Sequence, residues 1–204
     1  MPSKLTGLFK TLEWKHYPVR VENPPKAGQI VVAARTEATH SLDARPEAIP
    51  GTKKFRLADT VKADVFLDPK GTFQKSWVAT VMPQADRDAL LSHEQGHYDI
   101  HALLTRDFFL AVMQLKSKEY NGPGGLTADI NAAQRATVDN SAAVEAKYDT
   151  ETATGTKKTE QALWKSMIQS AFDTPASPPQ LAGDGITPIK VTLLSVLSKN
   201  GFNF

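Results

Sequence analysis

The chain contains no cysteine, and this absence removes three kinds of chemistry at once. Disulfide frameworks, thiolate metal sites and cysteine nucleophiles are all excluded. The sequence also lacks an apolar run near the roughly 20 residues that a spanning helix needs, so no membrane span is expected. Residues 1–10 include no apolar stretch long enough for a secretory signal, which predicts a protein kept inside the cell or trimmed of its leader.

The chain also has no strong excess of positive or negative charge. Lys and Arg number 24 against 22 Asp and Glu, giving a formal net charge of +2. This balance argues against nucleic acid or an anionic membrane as the main partner. Hydrophobic residues make up 41% of the 204 residues, enough for a substantial core. We therefore expect a single domain over 1–204.

The first part of this domain, residues 12–82, is predicted to be rich in β-structure. Its short runs of Val and aromatic residues lie between Pro and Gly turns, which is typical of strands. The candidate strands are residues 30–36, 55–57, 63–67 and 76–81.

The second part, residues 84–172, is predicted to be helical. No proline occurs between 84 and about 120, and the apolar residues recur at helical spacing, so one long helix is expected there. Two further helices are predicted, from 127 to about 147 and from about 156 onward, the latter with Leu163, Met167, Ile168 and Phe172 on one side. The extension 173–204 starts with a loop over 174–188, and 189–197 forms either a strand or a helix. The fold class is therefore α+β, with a small N-terminal sheet packed on the long helix and two further helices.

A metal-binding pattern lies on the predicted long helix, where His93 and Glu94 are followed by His97. Residues four apart on a helix differ by only ~40° in azimuth and ~6 Å along the axis, so both imidazoles face one point. Zinc takes such nitrogens as ligands, usually with three protein ligands and an open position for water. Glu94 lies beside this point and can serve as general base toward the water.

The alternative is a solvated helix face with two surface histidines, because the bare pattern also occurs by chance. The context favours the metal. Leu90 and Leu91 precede the pattern and predict burial, and buried His and Glu side chains need partners. Gly96 would weaken a helix by ~1 kcal/mol relative to Ala, which makes sense if another group approaches the backbone there.

A third ligand is needed, and His101 is not expected to supply it. On an unbroken helix His101 lies ~12 Å from His93 along the axis, too far for one ion, so a supporting or surface role is predicted. It would become a ligand only if the helix were kinked. The end of the second helix offers four other candidates: Glu145, Tyr148, Asp149 and Glu151.

The sequence around the pattern, Leu91 to Ile100, resembles the core of the DUF922 family, a bacterial family whose members are predicted to be secreted zinc-dependent proteases. The likeness extends from about Leu12 to Phe172. It includes further short segments and positions: Leu12-Glu13-Trp14, Pro24-Pro25, Ala33-Ala34-Arg35-Thr36, Lys75-Ser76-Trp77-Val78, Tyr148-Asp149-Thr150-Glu151-Thr152, Gly155, Gln161 and Trp164.

This resemblance implies a zincin-like fold, export from the cell, and zinc bound by His93, His97 and a downstream carboxylate. Asp149 ranks first for that carboxylate, with Glu145 and Glu151 behind it. Tyr148 is a candidate donor of a hydrogen bond to the oxyanion, or else a packed core tyrosine. One position departs from the family pattern, because Thr154 stands where a histidine often precedes the glycine.

The predicted function is a zinc metallopeptidase acting on a peptide or protein substrate. In zincin folds an edge strand borders the cleft and pairs with an extended peptide, and residues 76–81 are the candidate here. Two alternatives remain. One is a degenerate, metal-holding module that binds a partner without cleavage, suggested by Thr154. The other is a zinc amide hydrolase with a non-peptide substrate, such as a cell-wall cross-link.

Overall fold

A computed structural model describes residues 3–26, 31–172 and 191–204, and it combines helices with small sheets. The α-helices of the described residues are α1 Ser76–Thr80, α2 Gln84–Met113, α3 Pro123–Arg135, α4 Ser141–Thr152, α5 Lys158–Phe172 and α6 Leu193–Lys199. The strands of the same residues are β1 Lys4–Thr6, β2 Val19–Arg20, β3 Ala34–Arg35, β4 Ala38–Asp43, β5 Pro46–Ala48, β6 Phe55–Leu57, β7 Lys62–Leu67 and β8 Phe73–Lys75. The mixed α and β composition agrees with the predicted class.

The β-structure of the described residues is divided among three small sheets rather than one. Their strand orders are β1-β7-β4, β2-β8-β3 and β5-β6. In the first sheet β7 pairs parallel with β1 and antiparallel with β4, so this sheet is mixed. The predicted strands at 55–57 and 63–67 correspond to β6 and β7. Only Ala34–Arg35 of the predicted strand at 30–36 is a strand, and Ile30 lies outside the described residues.

Helix α2 is the centre of the fold. It starts at Gln84 as predicted and continues after Met113 as a short 3-10 turn to Ser117. Its residues enter all three hydrophobic clusters, since Ile100 packs toward α5 and α6, Phe109 toward α3, and Tyr98 toward the N-terminal segment and β7. The second half of α2 is buried on most sides, and this packing anchors the helix that carries His93 and His97.

The prediction of a strand at 76–81 was wrong. Strand β8 ends at Lys75, and the chain turns directly into α1, where the backbone N–H of Val81 donates to the carbonyl of Trp77 at 2.9 Å. Both Trp77 and Val78 are buried by this turn. Burial of these two side chains outweighs the β-propensity of the segment, because such propensities depend strongly on tertiary context.

The prediction of one helix over 127–147 was also wrong. The chain forms α3 and α4 with a 3-10 turn, Val138–Asn140, between them. Helix α3 begins at Pro123, whose missing N–H is harmless in a first turn. The break occurs at Thr137, which has φ −130° and ψ −87°, and it lets Val138 enter the core. This bend directs α4 across α2.

The third predicted helix is confirmed as α5, with one correction to its buried face. Leu163 is 49% exposed, and Trp164 takes the buried position beside Met167 and Ile168. The predicted loop at 174–188 lies outside the described residues, as does the start of 189–197. The rest of that segment leads into helix α6, whose start is capped by the hydroxyl of Thr192 accepting from the N–H of Ser195. No helix of the described residues is long and apolar enough to cross a membrane.

Candidate metal centre

Two histidines of α2 and one carboxylate of α4 converge where these helices cross. The Nε2 atoms of His93 and His97 are 3.2 Å apart. The Oδ1 atom of Asp149 lies 3.0 Å from each of them. The helical spacing of the two histidines places their Nε2 atoms close together. The bend before α4 brings Asp149 Oδ1 to them as the third atom of this triangle.

The dimensions of this triangle fit a metal ion. Ligands bound to zinc at ~2.0–2.1 Å in a tetrahedral arrangement are ~3.3–3.4 Å apart, close to the three distances observed. The donor set of two imidazoles and one carboxylate also occurs in zinc sites that keep a position open for water. The group of His93, His97 and Asp149 could therefore hold a metal ion. This geometry alone does not distinguish zinc from other divalent metals that accept imidazole.

Charge at the centre is predominantly negative. Burial alone would lower the pKa of His97, but the hydrogen bond to Asp149 and the charges of Glu94, Asp149 and Glu145 together raise it. Burial would raise the pKa of Asp149, yet its bonds to both histidines hold that pKa well below the usual range. Three carboxyl groups around two imidazoles form a field that favours a bound cation.

Glu94 is a buried acid beside the ligand triangle. It is 3% exposed, and its Oε2 atom has no hydrogen-bond partner among the described residues. A buried carboxylate oxygen without a partner is unfavourable unless a ligand or water satisfies it. Its position, directly after His93 and within electrostatic range of His97, is that of a group able to accept a proton at the site.

Tyr148 holds the His93 side chain in position. The two rings stack with centroids 4.7 Å apart, and the Tyr148 hydroxyl donates to the backbone carbonyl of His93 at 3.0 Å. Tyr148 is completely buried. Its single hydroxyl proton is engaged in this bond, so the geometry supports a packing and positioning role for the tyrosine. The sequence predicted that another group approaches the backbone at Gly96, and this group is the Tyr148 side chain.

The remaining candidates for the third ligand lie elsewhere. Glu145 Oε2 is 4.0 Å from His97 Nδ1, on the far side of that ring from the Nε2 triangle, and burial raises the pKa of Glu145 to about 7. Glu151 accepts from Trp164 Nε1 at 2.9 Å and pairs with a lysine. His101 is buried next to His40, with 3.4 Å between Nε2 and Nδ1. The structure thus brings Asp149 alone of these groups to the two histidines, and its role as a ligand stays a prediction.

Three supporting residues received no role from the sequence. Gln161 Oε1 lies 3.1 Å from His93 Nδ1, and the Thr152 hydroxyl lies 3.4 Å from the same atom. Gly155 has φ +85°, and an added Cβ would lie 2.8 Å from that of His93. One signal for Gln161 was available, because it occupies a polar position in the buried stripe that continues with Trp164 and Ile168.

Thr154, the position that departs from the family pattern, lies at the edge of this arrangement. It is exposed and has φ +53°, next to Gly155. Comparisons of the chain with protein-family models, with curated proteins and with solved structures found no match. The resemblance to the DUF922 family and the zincin-like character of the fold therefore stay predictions.

Proposed function

We propose that the protein is a zinc-dependent metallopeptidase. In this proposal zinc is held by His93 Nε2, His97 Nε2 and Asp149 Oδ1, beside the buried carboxylate of Glu94. The observation that carries it is the triangle of three donor atoms 3.0–3.2 Å apart, since three such atoms repel one another without a cation or proton between them. The specific stretch from His93 to Ile100 that resembles DUF922 proteases also supports it.

The chemistry expected here divides between the metal and Glu94. A bound zinc ion would supply a Lewis acid that polarises the scissile carbonyl and lowers the pKa of water to about 7. Glu94 takes a proton from the attacking water on its carboxylate and passes that proton to the departing amine. The unpartnered Oε2 of Glu94 is the atom available for this transfer. Tyr148 stacks on His93 and donates to its backbone carbonyl, so in this proposal it orients that imidazole and does not exchange protons with substrate.

The substrate is proposed to bind along β3, which replaces the segment 76–81 in this role. Strand β3 is an outer strand of its sheet, in the order β2-β8-β3. It passes near the site, since the pKa of Glu145 beside His97 is raised chiefly by burial and is lowered in part by the charge of Arg35 in β3. An extended peptide can add to such an edge through main-chain hydrogen bonds.

A module that binds metal without cleavage is the second candidate, and Thr154 is the observation behind it. If the histidine found at this position in the family pattern stabilises the transition state, its replacement would leave a metal site with little activity. A zinc amide hydrolase with a non-peptide substrate would use the same groups and differ only in what enters the cleft.

One experiment on the purified full chain distinguishes the peptidase from these alternative functions. Bound zinc is measured by atomic absorption, and hydrolysis is followed with a casein substrate and a peptide library for wild type, Glu94→Gln and Glu47→Gln. Glu47 makes a matched control because it is exposed on β5. The peptidase proposal predicts zinc in all three proteins and hydrolysis lost in Glu94→Gln alone. Zinc without hydrolysis in the wild type favours the binding module or a non-peptide substrate, and no zinc after reconstitution contradicts a metal centre.

A further inference from the structure

The partners of His93 Nδ1 form a closed set of hydrogen bonds that determines where the ring carries its proton. The reasoning starts at the backbone carbonyl of His93, which can only accept. Tyr148 Oη lies 3.0 Å from this oxygen, so the hydroxyl must donate to it. Having donated its one proton, Tyr148 Oη can only accept from its second neighbour, the amide of Gln161 at 2.6 Å.

This requirement fixes the Gln161 amide. The atom facing Tyr148 must be the NH₂ group, because an amide oxygen there would face an oxygen that has no proton left. The Oε1 atom of Gln161 is therefore the one that faces His93 Nδ1 at 3.1 Å. A carbonyl oxygen accepts, so Nδ1 must carry the proton.

The second group near His93 Nδ1, the Thr152 hydroxyl, also requires a proton on this nitrogen. The hydroxyl of Thr152 donates to the backbone carbonyl of Tyr148 at 2.8 Å, which leaves only acceptor capacity toward His93. Its distance of 3.4 Å from Nδ1 makes it the weaker of the two acceptors. With the proton on Nδ1, a neutral His93 has its lone pair on Nε2. The Asp149 carboxylate, 3.0 Å from Nε2, can only accept and therefore favours a proton on Nε2 unless a metal ion binds between the two groups.

We propose that Gln161 is a positioning residue that holds His93 in the Nδ1-protonated tautomer and so presents its Nε2 lone pair to the metal. This inference rests on the proposed metal centre, and it assigns a role to a residue of α5 that neither the metal-binding pattern nor the ligand triangle contains. Groups that bind the second nitrogen of a histidine ligand fix its tautomer and raise its basicity, and their loss weakens metal binding ~10–100-fold.

A matched pair of substitutions tests the acceptor separately from packing. Gln161→Met keeps the length of the side chain and removes the acceptor. Gln161 borders a cavity of about 330 Å³ that Leu91 and Ile168 also line, so the thioether can be accommodated. Gln161→Glu keeps an oxygen that accepts from Nδ1. Its other oxygen faces Tyr148 Oη, so the hydroxyl is expected to donate to this oxygen instead of to the His93 carbonyl. Gln169→Met makes the Met substitution on the exposed face of the same helix and serves as control.

The tautomer is read from the ring ¹⁵N shifts at about pH 8.5 in metal-free protein that carries Asp149→Ala, because the Asp149 carboxylate 3.0 Å from Nε2 would otherwise compete for the proton of the ring. The His93 signal is assigned by its loss in His93→Gln. Zinc affinity is measured in parallel by chelator competition, and folding by circular dichroism. In the metal-free Asp149→Ala background we expect a protonated Nδ1 with Gln161, Gln161→Glu or Gln169→Met, and a mixture of tautomers with Gln161→Met. With Asp149 intact, we expect at least tenfold weaker zinc binding in Gln161→Met and little change in Gln169→Met.

An unchanged His93 tautomer in folded Gln161→Met, or a changed tautomer with zinc affinity within twofold of wild type, would overturn the proposal. So would a His93 protonated on Nε2 in the Asp149→Ala protein that keeps Gln161. These outcomes are distinct from a failure of the proposed metal centre, because the tautomer is measured without metal. The expected tautomer in the Asp149→Ala background, together with no zinc bound when Asp149 is intact, contradicts the metal centre and removes the function assigned to Gln161.

Discussion

The hydroxyl of Tyr148 fills the space into which a side chain on Gly96 would project. A Cβ built on Gly96 would overlap the hydroxyl oxygen and approach the ring carbon Cζ to 2.6 Å. The ring has no room to withdraw, because it stacks on His93 and packs edge-on against Trp164 with centroids 5.3 Å apart. The glycine in the metal-binding pattern is thus required by the residue that holds one of the proposed ligands in place.

Substituting Gly96 with alanine is expected to destabilise the protein although alanine is the better helix former. The overlap with Tyr148 should lower the free energy of unfolding by about 2 kcal/mol, outweighing the ~1 kcal/mol gained in helix propensity. Urea denaturation measures the change. Gly124→Ala is the control, since a Cβ on Gly124 in α3 meets nothing within 4 Å, and it should stabilise by about 0.5 kcal/mol. Equal effects at both positions would contradict the contact.

The buried pair of His40 and His101 predicts a loss of stability in acid. Burial and the neighbouring charge of His40 lower the pKa of His101 to about 4. Burial also lowers the pKa of His40, against the opposing charge of Asp139. Because the folded state binds these protons more weakly than the unfolded chain, this contribution to stability is complete above about pH 6.5 and is lost as the pH falls toward 4.

His101→Gln should therefore flatten the pH dependence of stability over this window. We expect the wild type to lose roughly 2–3 kcal/mol more than the variant between about pH 7 and 4. Urea denaturation at a series of pH values measures both slopes. Parallel slopes would show that His101 is not the group responsible.

The adjacent residues Arg106 and Asp107 form a buried ion pair that joins α2 to the C-terminal part of the chain. Arg106 Nη2 donates to Asp107 Oδ1 at 2.6 Å, and its Nη1 donates to the carbonyl of Ala171 at 2.6 Å. Asp107 Oδ2 accepts from the N–H of Leu193 at 2.8 Å. Both charged side chains are 1% exposed in this arrangement.

Asp107→Leu should lower the free energy of unfolding by about 3–5 kcal/mol, because it leaves the Arg106 charge buried without its partner. The double variant Arg106→Met/Asp107→Leu removes both charges and is expected to recover part of that loss. Thermal and urea denaturation of Asp107→Leu, Arg106→Met and the double variant give the coupling energy between the two residues. Strictly additive losses would show that the pair is not coupled as its geometry indicates.

The ligand triangle predicts unequal effects of two nearby acids on metal binding. Asp149→Ala removes a proposed ligand and should weaken zinc binding by more than about 100-fold. Glu145→Gln alters a carboxyl group 4.0 Å from the opposite nitrogen of His97, and its effect should be about tenfold or less. Chelator competition measures both constants. A larger effect of Glu145→Gln than of Asp149→Ala would move the third ligand to Glu145.

Local pattern predicted the part of the site that lies within one helix. The spacing of His93 and His97 was sufficient because helical geometry alone brings their rings together. The position of Asp149 depended on a second element, and a single helix over 127–147 missed the bend at Thr137 that directs α4 to the site. For Gln161 the sequence offered only a polar position in a buried stripe, and it could not predict the bond to His93, which joins residues 68 positions apart.

The β-rich half was predicted less well because its strands are very short. Strand β7 has six residues and alternating burial, and it was found. Segment 76–81 has the composition of a strand, but burial of Trp77 and Val78 against the rest of the fold selects a helical turn instead. In such short segments tertiary packing, which sequence pattern does not contain, decides the conformation.

The central claim is that His93, His97 and Asp149 bind one metal ion, and anomalous diffraction tests it most directly. Crystals grown with zinc are measured on both sides of the zinc absorption edge, with Asp149→Ala crystals as the comparison. The account predicts one strong difference peak at ~2.0–2.2 Å from His93 Nε2, His97 Nε2 and an Asp149 carboxylate oxygen, and its loss or marked weakening in the variant. A map without a peak between α2 and α4, or a peak bound by Glu145 or His101 instead of Asp149, would contradict it.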